Sequence, residues 1–569
     1  MRHDVESATS VFVPHLTPSP ENVMGDWVFR CPAIVVGSDS IAKAFVVDVD
    51  DLAAAKHPTW LDYDHPRREI TLAAGAYRHE GHVFFVREPR PFEADVTLRL
   101  HEITSTRAED LANPFGLAAR FVWERWGRAR FANAKAPPIA THMERIAKWA
   151  FDSGWSESVW QRVDRRRRSL MAIDDQRAAP VFIVDVGRHP SVPAAERTWR
   201  EPRSIWNQAW FSTQRCANGL LRYARRIGSR DLEERARQMT EVALSAPKTN
   251  GLFPAVLLAT DAGWRWTNSD RRPASASEAA CHVVDAAFTC RMLLEWHALT
   301  RDERARAYVD EFAARLVALQ RPSGAFPGWV EPDGRVPEEL AEGPESAVAV
   351  ALLLELGRRE PAARGLAFLE GVAREARWED FETYYSCARW GTPGERVARN
   401  GVYKQNTLSI AWCAEAFMFA GRLDLARRCI DELSLYQAVW DPPFLPAPSF
   451  GGFGVMNADA EWNDARQSLF APLYLELGRR TNDRELTERG VSALRASFHM
   501  LYCPENSALA RAYEARFPFF GPESWGFMME NQGHDVSQPI GTFTIFTWGN
   551  GSALAAVATV LDRFPEVFE

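Results

Sequence analysis

Glu461 and Asp464 stand three residues apart in the segment 450-FGGFGVMNADAEWNDARQ-467, where glycines give way to a cluster of acids and amides. General acid–base cleavage of a glycosidic bond needs two carboxyl groups on opposite sides of that bond. Neighbours on one stretch of chain seldom flank a substrate, so the second carboxyl should come from another segment. Glu345, in 343-GPESAV-348, is the first candidate. Asn457, Trp462 and Asn463 interleave with the acids and are candidate substrate contacts. The same acids and amides would also serve as helix N-caps and first-turn residues, and the sequence leaves both readings open.

A different chemistry is offered by 382-ETYYSCARW-390, with Tyr384 and Tyr385. A tyrosine can remove and return protons in a β-elimination next to a uronate while an amide or cation neutralises the carboxylate. Tyr403, Lys404 and Asn406, in 401-GVYKQNTLS-409, and the histidines His282 and His534 widen that pool. His282 sits early in an apolar helical pattern, where a satisfied core histidine is the common outcome. His534, followed by Asp535 in a polar stretch, is better placed for chemistry. Trp206, Trp210, Trp462 and Trp548 are candidate stacking platforms for sugar rings, and Arg215, Lys404 and Asn406 candidate partners for polar or uronate groups. Most of the 21 Trp and 33 Phe should nevertheless anchor loops to a scaffold.

These residues need elements to position them, and the chain supplies a rhythm. Helical apolar patterns recur near 206–226, 278–298, 343–356, 403–420, 462–477 and 546–562. Each of the first five is followed after a few residues by another, at 230–245, 303–320, 361–375, 423–437 and 483–501. In the second, third and fourth pairs the first member is apolar nearly all round, as in 345-ESAVAVALLLELG-357. The second is amphipathic, as in 303-ERARAYVDEFAARLVALQ-320. Fully apolar helices belong to an inner ring and amphipathic ones to an outer ring. With an outer helix near 139–152, six pairs result, which predicts an (α/α)6 toroid over 138–569. Long segments run from each outer helix to the next inner one, so all should emerge on the rim where inner helices begin. Loops beyond about 15 residues in a compact domain usually carry function.

Residues 1–137 read differently. Short β-branched or alternating runs at 27–31, 43–50, 69–77, 83–88 and 95–100, separated by Pro, Gly and Asp, predict a small antiparallel β domain. The run 117–127 predicts a helix in the transition. Asp48, Asp50 and Asp51 match the D-x-D-D of proton-initiated terpene cyclases, and 320-QRPSGAFPGW-329 matches their Gln–Gly–Phe segment once. The aspartates fall in the β-rich region, outside the helical mouth, which argues against that reading.

The net charge of −8 over 569 residues argues against a nucleic-acid surface or a polybasic membrane anchor. No 18-residue apolar run occurs, and the N-terminus lacks the apolar core of a secretory signal. The eight cysteines are scattered without metal-ligand spacing. These features predict a cytoplasmic protein with reduced thiols, no metal and no cofactor. They leave homo-oligomerisation open.

The hairpin rhythm, the 450–467 segment and the Trp-bearing loops together resemble carbohydrate-active enzymes of the (α/α)6-toroid type, over roughly residues 138–569. That superfold includes glycoside hydrolases and polysaccharide lyases, several with an attached antiparallel β domain. The resemblance implies an oligosaccharide substrate, and the leading expectation is a glycoside hydrolase acting on a short, uronate-containing oligosaccharide. A uronate lyase using Tyr384 or Tyr385 is the alternative, and a non-catalytic glycan-binding protein the third reading.

Overall fold

The computed structural model describes residues 1–80, 84–91, 93, 95–156, 160–161, 179–180, 182, 184, 186–193, 204–205, 208–209, 212–260, 263–269, 271–386, 392–529 and 549–568. Six inner helices, Thr213–Ile227, Val283–Thr300, Ser346–Glu355, Thr407–Phe419, Gln467–Thr481 and Gly549–Arg563, pack side by side, and the sixth returns to the first. Outside them lie Ile139–Asp152, Arg230–Leu244, Glu303–Ala318, Arg359–Glu375, Leu423–Ser434 and Arg484–Ala496. The chain is an (α/α)6 toroid with an N-terminal β region, as the rhythm predicts.

Burial explains the layering. The third inner helix buries Ser346 through Leu353, covering every face. Its outer partner buries Ala362, Gly365, Leu369, Val372 and Ala373, a single stripe at helical spacing. Each inner-to-outer turn reverses through a left-handed residue: Gly228, Arg301, Gly357, Gly421 and Asn482. At Gly228, Gly357 and Gly421 the absence of a Cβ makes that conformation inexpensive.

Ring closure depends on one close approach. A Cβ on Gly219, in the first inner helix, would collide with the Ala555 backbone in the sixth. Gly219→Ala should therefore destabilise the fold by about 1–3 kcal/mol, the usual cost of overpacking, despite alanine's better helix propensity. Thermal unfolding of the variant checks this, and a melting temperature equal to wild type would contradict it.

The β region differs in detail from expectation. Ser10–Phe12, Ala33–Gly37, Ala42–Val47 and Leu100–Ser105 form an antiparallel sheet in that order, and Met24–Gly25, Thr59–Asp64 and Glu69–Ala74 a second. Tyr77–Glu80 and Phe84–Arg87 make a hairpin. The run 27–31 is not a strand: it begins inside a single 3₁₀ turn, Asp26–Val28, its Phe29 and Arg30 N–H groups bond locally, and several of its other hydrogen bonds go to the toroid. Trp440 Nε1 donates to the Phe29 carbonyl at 2.5 Å, and Val439 N–H donates to the Arg30 carbonyl at 3.1 Å. The strand expected at 95–100 begins only at Leu100, and the predicted helix at 117–127 ends in a π-turn, Trp123–Gly127. Asp48 caps the short helix Val49–Ala54 while Asp51 binds Arg99, so the D-x-D-D match is a capping and ion-pairing feature.

Among the described residues no helix is long and apolar enough to cross a membrane.

Candidate active site

Every inner helix begins where a long segment ends, and the described acids gather at those starts. Asn406 caps the fourth inner helix, its side-chain oxygen accepting the Leu408 N–H at 3.0 Å. Its amide nitrogen then reaches Asp380 at 3.2 Å and Glu382 at 3.0 Å. Asp380 itself caps the short helix Phe381–Ser386, accepting the Glu382 and Thr383 N–H groups at 3.0 and 3.1 Å and the Ser409 hydroxyl at 2.8 Å. Arg466, just before the fifth inner helix, donates from one nitrogen, Nη2, to both oxygens of Glu382 at 2.7 and 2.9 Å, a buried charge-assisted contact. Asp464 Oδ1 accepts the Arg466 backbone N–H at 2.8 Å, leaving Oδ2 buried without a partner. Glu345 stands before the third inner helix, and neither of its buried oxygens has a hydrogen-bond partner.

Electrostatics sort these acids. Burial raises the Glu345 carboxyl well above its ordinary range, and the Asp380 charge adds to it. Asp380 is pushed up to about 6 by burial and by the charge of Glu382. Asp464 is likewise pushed up to about 6 by burial, with Arg466 only partly offsetting it. Glu382 goes the other way: burial alone would raise it, but Arg466, Arg271 and Asn406 together hold it below the usual value. Buried carboxyls whose acidities are shifted in opposite directions can serve acid–base chemistry.

The cations present are paired. Lys404 lies 2.8 Å from Glu379, both buried, and Arg271 is 3.9 Å from Glu382. Glu345, Glu379, Asp380, Glu382, Glu461 and Asp464 thus face Arg466, Lys404 and Arg271, leaving the described lining acidic.

Several expected contacts are structural. Trp462 is fully buried, its indole N–H donating to the Trp27 carbonyl at 2.6 Å within a cluster with Trp440 and Phe444. It is not a stacking platform, because the β region covers its ring. Asn457 clamps two segments, accepting the Gln405 N–H at 2.9 Å and donating to the Tyr403 carbonyl at 2.9 Å. Asn463 donates to the Ala496 carbonyl and accepts from Gln467 at 2.6 Å. Tyr403 is half-buried under the Arg396 guanidinium. His282 is buried, bonded to Asp285 at 2.8 Å and stacked on Trp329, with Phe381 edge-on to its ring. Arg215 donates to the Ser468 hydroxyl and carbonyl and lines a cavity of about 490 Å³ among the inner helices. Burial lowers its pKa to about 10.

Glu461 is buried beside Asp464, its backbone carbonyl accepting a hydrogen bond from Arg30 at 2.5 Å. Tyr384 is half-buried in the Phe381–Ser386 helix, and burial followed by the charges of Glu339 and Glu379 raises its phenol further. Trp206, Trp210, His534, Trp548 and the side chain of Tyr385 lie outside the described residues. The residues that sequence reasoning missed are Glu379, Asp380, Glu382 and Arg466. The run 378-WEDFE-382 carries the signal, three acids in four positions ahead of the tyrosines.

Ring and rim together define an (α/α)6 toroid with a buried acid cluster at the inner-helix starts. No family model and no curated protein matches the chain. Among solved structures it is similar to a sugar epimerase from a ruminal bacterium (13% identity, TM-score 0.42, 73% of this chain and 98% of that one). It is similar also to an unsaturated glucuronyl hydrolase from Streptcoccus agalactiae (12%, 0.40, 75% and 93%). A third is a family 76 glycoside hydrolase from a bovine Bacteroides thetaiotaomicron strain (7%, 0.40, 93% and 95%). What the site can do follows from its own residues.

Proposed function

We propose that the protein is a carbohydrate-active enzyme, a glycoside hydrolase that cleaves a short oligosaccharide with a pair of carboxyl groups. The observation that carries this is the burial of Glu345 and Asp464 among like charges, with Asp464 Oδ2 lacking a hydrogen-bond partner. A buried polar atom without a hydrogen bond is costly to the fold, and functional sites are where such costs are retained. In this reading Glu345, whose carboxyl is held well above its ordinary range by burial, is the general acid that protonates the leaving oxygen. Asp464, ionised above about pH 6, is the base, and Arg466 and the ionised Glu382 hold it in place. Both side chains are buried.

The charge of the lining favours a neutral sugar over the uronate suggested by sequence, because Lys404, Arg466 and Arg271 each already face a carboxylate. It also weakens the elimination reading. A tyrosine base must lose its proton, and the surroundings of Tyr384 make that loss harder. The test is activity on a panel of neutral and uronate oligosaccharides, followed by new reducing ends and by near-ultraviolet absorbance. New reducing ends without absorbance support hydrolysis. An absorbing unsaturated product would replace it with a lyase, and binding without turnover would leave a glycan-binding protein.

The pH profile provides a second check. Turnover should rise through about pH 6 as Asp464 deprotonates, then fall at higher pH as Glu345 loses its proton. A profile flat between pH 5 and about 7 would remove Asp464 from the role of base.

A further inference from the structure

His142, Cys503 and Glu505 meet on the outside of the ring, away from the acid cluster. His142 lies in the first outer helix, Ile139–Asp152, and the other two follow the last outer helix, Arg484–Ala496. One ligand atom from each, an imidazole nitrogen, the thiol sulfur and a carboxylate oxygen, lies within 4.8 Å of the others. His142 is completely buried, and neither of its ring nitrogens has a hydrogen-bond partner. Its ring packs on Phe498, with centroids 5.4 Å apart, which fixes the direction in which the nitrogens point. Cys503 is equally buried, while Glu505 reaches solvent and is held by Arg145 at 2.6 Å.

An unpartnered buried imidazole costs free energy that packing alone does not return. A core histidine normally donates one ring N–H to a carbonyl or carboxylate. Here the polar atoms closest to hand are a sulfur and a carboxylate, which with an imidazole make a metal-binding donor set. We infer that His142, Cys503 and Glu505 form a binding site for a zinc ion. Thiolate and imidazole together select a borderline-soft cation over calcium or magnesium. Three protein ligands leave the fourth tetrahedral position to water on the Glu505 side, where the site reaches solvent. Coordination sends the Cys503 proton to solvent, so Zn²⁺, thiolate and carboxylate sum to no net charge. Arg145 then orients the ligating carboxylate from outside. Tetrahedral ligand atoms sit closer together than those in the unliganded chain, so the site tightens slightly on binding.

The ion would tie residues 361 positions apart, from the first outer helix to the segment after the last, and so brace the ring where its two ends meet. That separation is why no spacing in the sequence betrays it. The inference is independent of the reaction proposed above.

The experiment uses the full chain, stripped with a chelator and then titrated with zinc alone or with cobalt as a spectroscopic stand-in. One zinc per chain should survive gel filtration, and zinc should raise the melting temperature. Cobalt should give a thiolate-to-metal charge-transfer band in the near ultraviolet. Cys503→Ala should abolish that band, and both it and His142→Gln should lower zinc affinity by ~100-fold or more, since changes outside the ligand shell alone cost about 10- to 100-fold. Glu505→Gln, a change at the surface that spares the core, should weaken zinc binding with the helical circular dichroism unchanged. Glu144→Gln, on the same outer helix but outside the site, should bind as wild type does. Failure of the wild-type chain to retain zinc would overturn the inference. So would an undiminished charge-transfer band in Cys503→Ala, or zinc affinity unaltered in Glu505→Gln.

Discussion

Asp464→Asn and Glu345→Gln should each lower turnover by about 100- to 10,000-fold, the usual contribution of a positioned acid or base. Neither should unfold the protein; both should stabilise it near neutral pH. The sign follows from the direction of the shifts. Burial raises the pKa of Asp464 from 3.8 to about 6, so the folded chain holds a proton there that the unfolded chain releases between those values. The charged carboxyl therefore costs stability, absent below about pH 4 and fully present above about pH 6. An amide carries no such cost, so Asp464→Asn should melt higher than wild type at pH 7 and equal to it near about pH 4. Glu345→Gln should behave alike, with its window reaching higher in pH. Loss of turnover together with a gain in stability separates a functional acid from a structural one. Wild-type turnover in a folded Asp464→Asn would end the assignment.

Arg466→Met should be the most destabilising single change at the rim. It leaves Glu382 buried, with its nearest cation gone and Asn406 and the more distant Arg271 beside it. Breaking a buried pair from one side costs about 3–5 kcal/mol. The Glu382 carboxyl should then rise in pKa, because Arg466 is the first of the groups that hold it down. Chemical denaturation of the variant measures the first effect. A double change, Arg466→Met with Glu382→Leu, should restore much of the stability without restoring turnover. If the single change proves harmless, the pair is not holding the rim together.

The helices were legible because their evidence is local and repeated. Alternating full and striped apolar coverage is a property of each segment, and packing into a ring follows from it. The second outer helix was expected at 230–245 and is found at Arg230–Leu244. The strands were less legible, since a strand's partners are remote. The run 27–31 has strand composition, but several of its donors and acceptors pair with Val439, Trp440 and Glu461, more than 400 residues away. The acid cluster was half legible. Asp464, Glu461 and Glu345 stand out in the sequence because acids at helix entries are conspicuous, and Asn406 because it follows a turn. Asp380 and Glu382 were passed over for the tyrosines beside them, and Trp462 was misread because its cover comes from the other end of the chain. His142 and Cys503 show the same limit, since each is unremarkable alone.

The grip of the β region on the toroid bears on how this protein would fail. Arg30 holds the Glu461 carbonyl, the Trp27 carbonyl takes the Trp462 indole, and Leu16 N–H donates to the Asn457 carbonyl. The acid-bearing loop is thus laced at three points to the first thirty residues, while the ring closes through its own helices. Local opening of that lacing requires far less than global unfolding. Heat or denaturant should disorder the acid-bearing loop first and melt the helices later, with the N-terminal segment acting as the fuse between the two events.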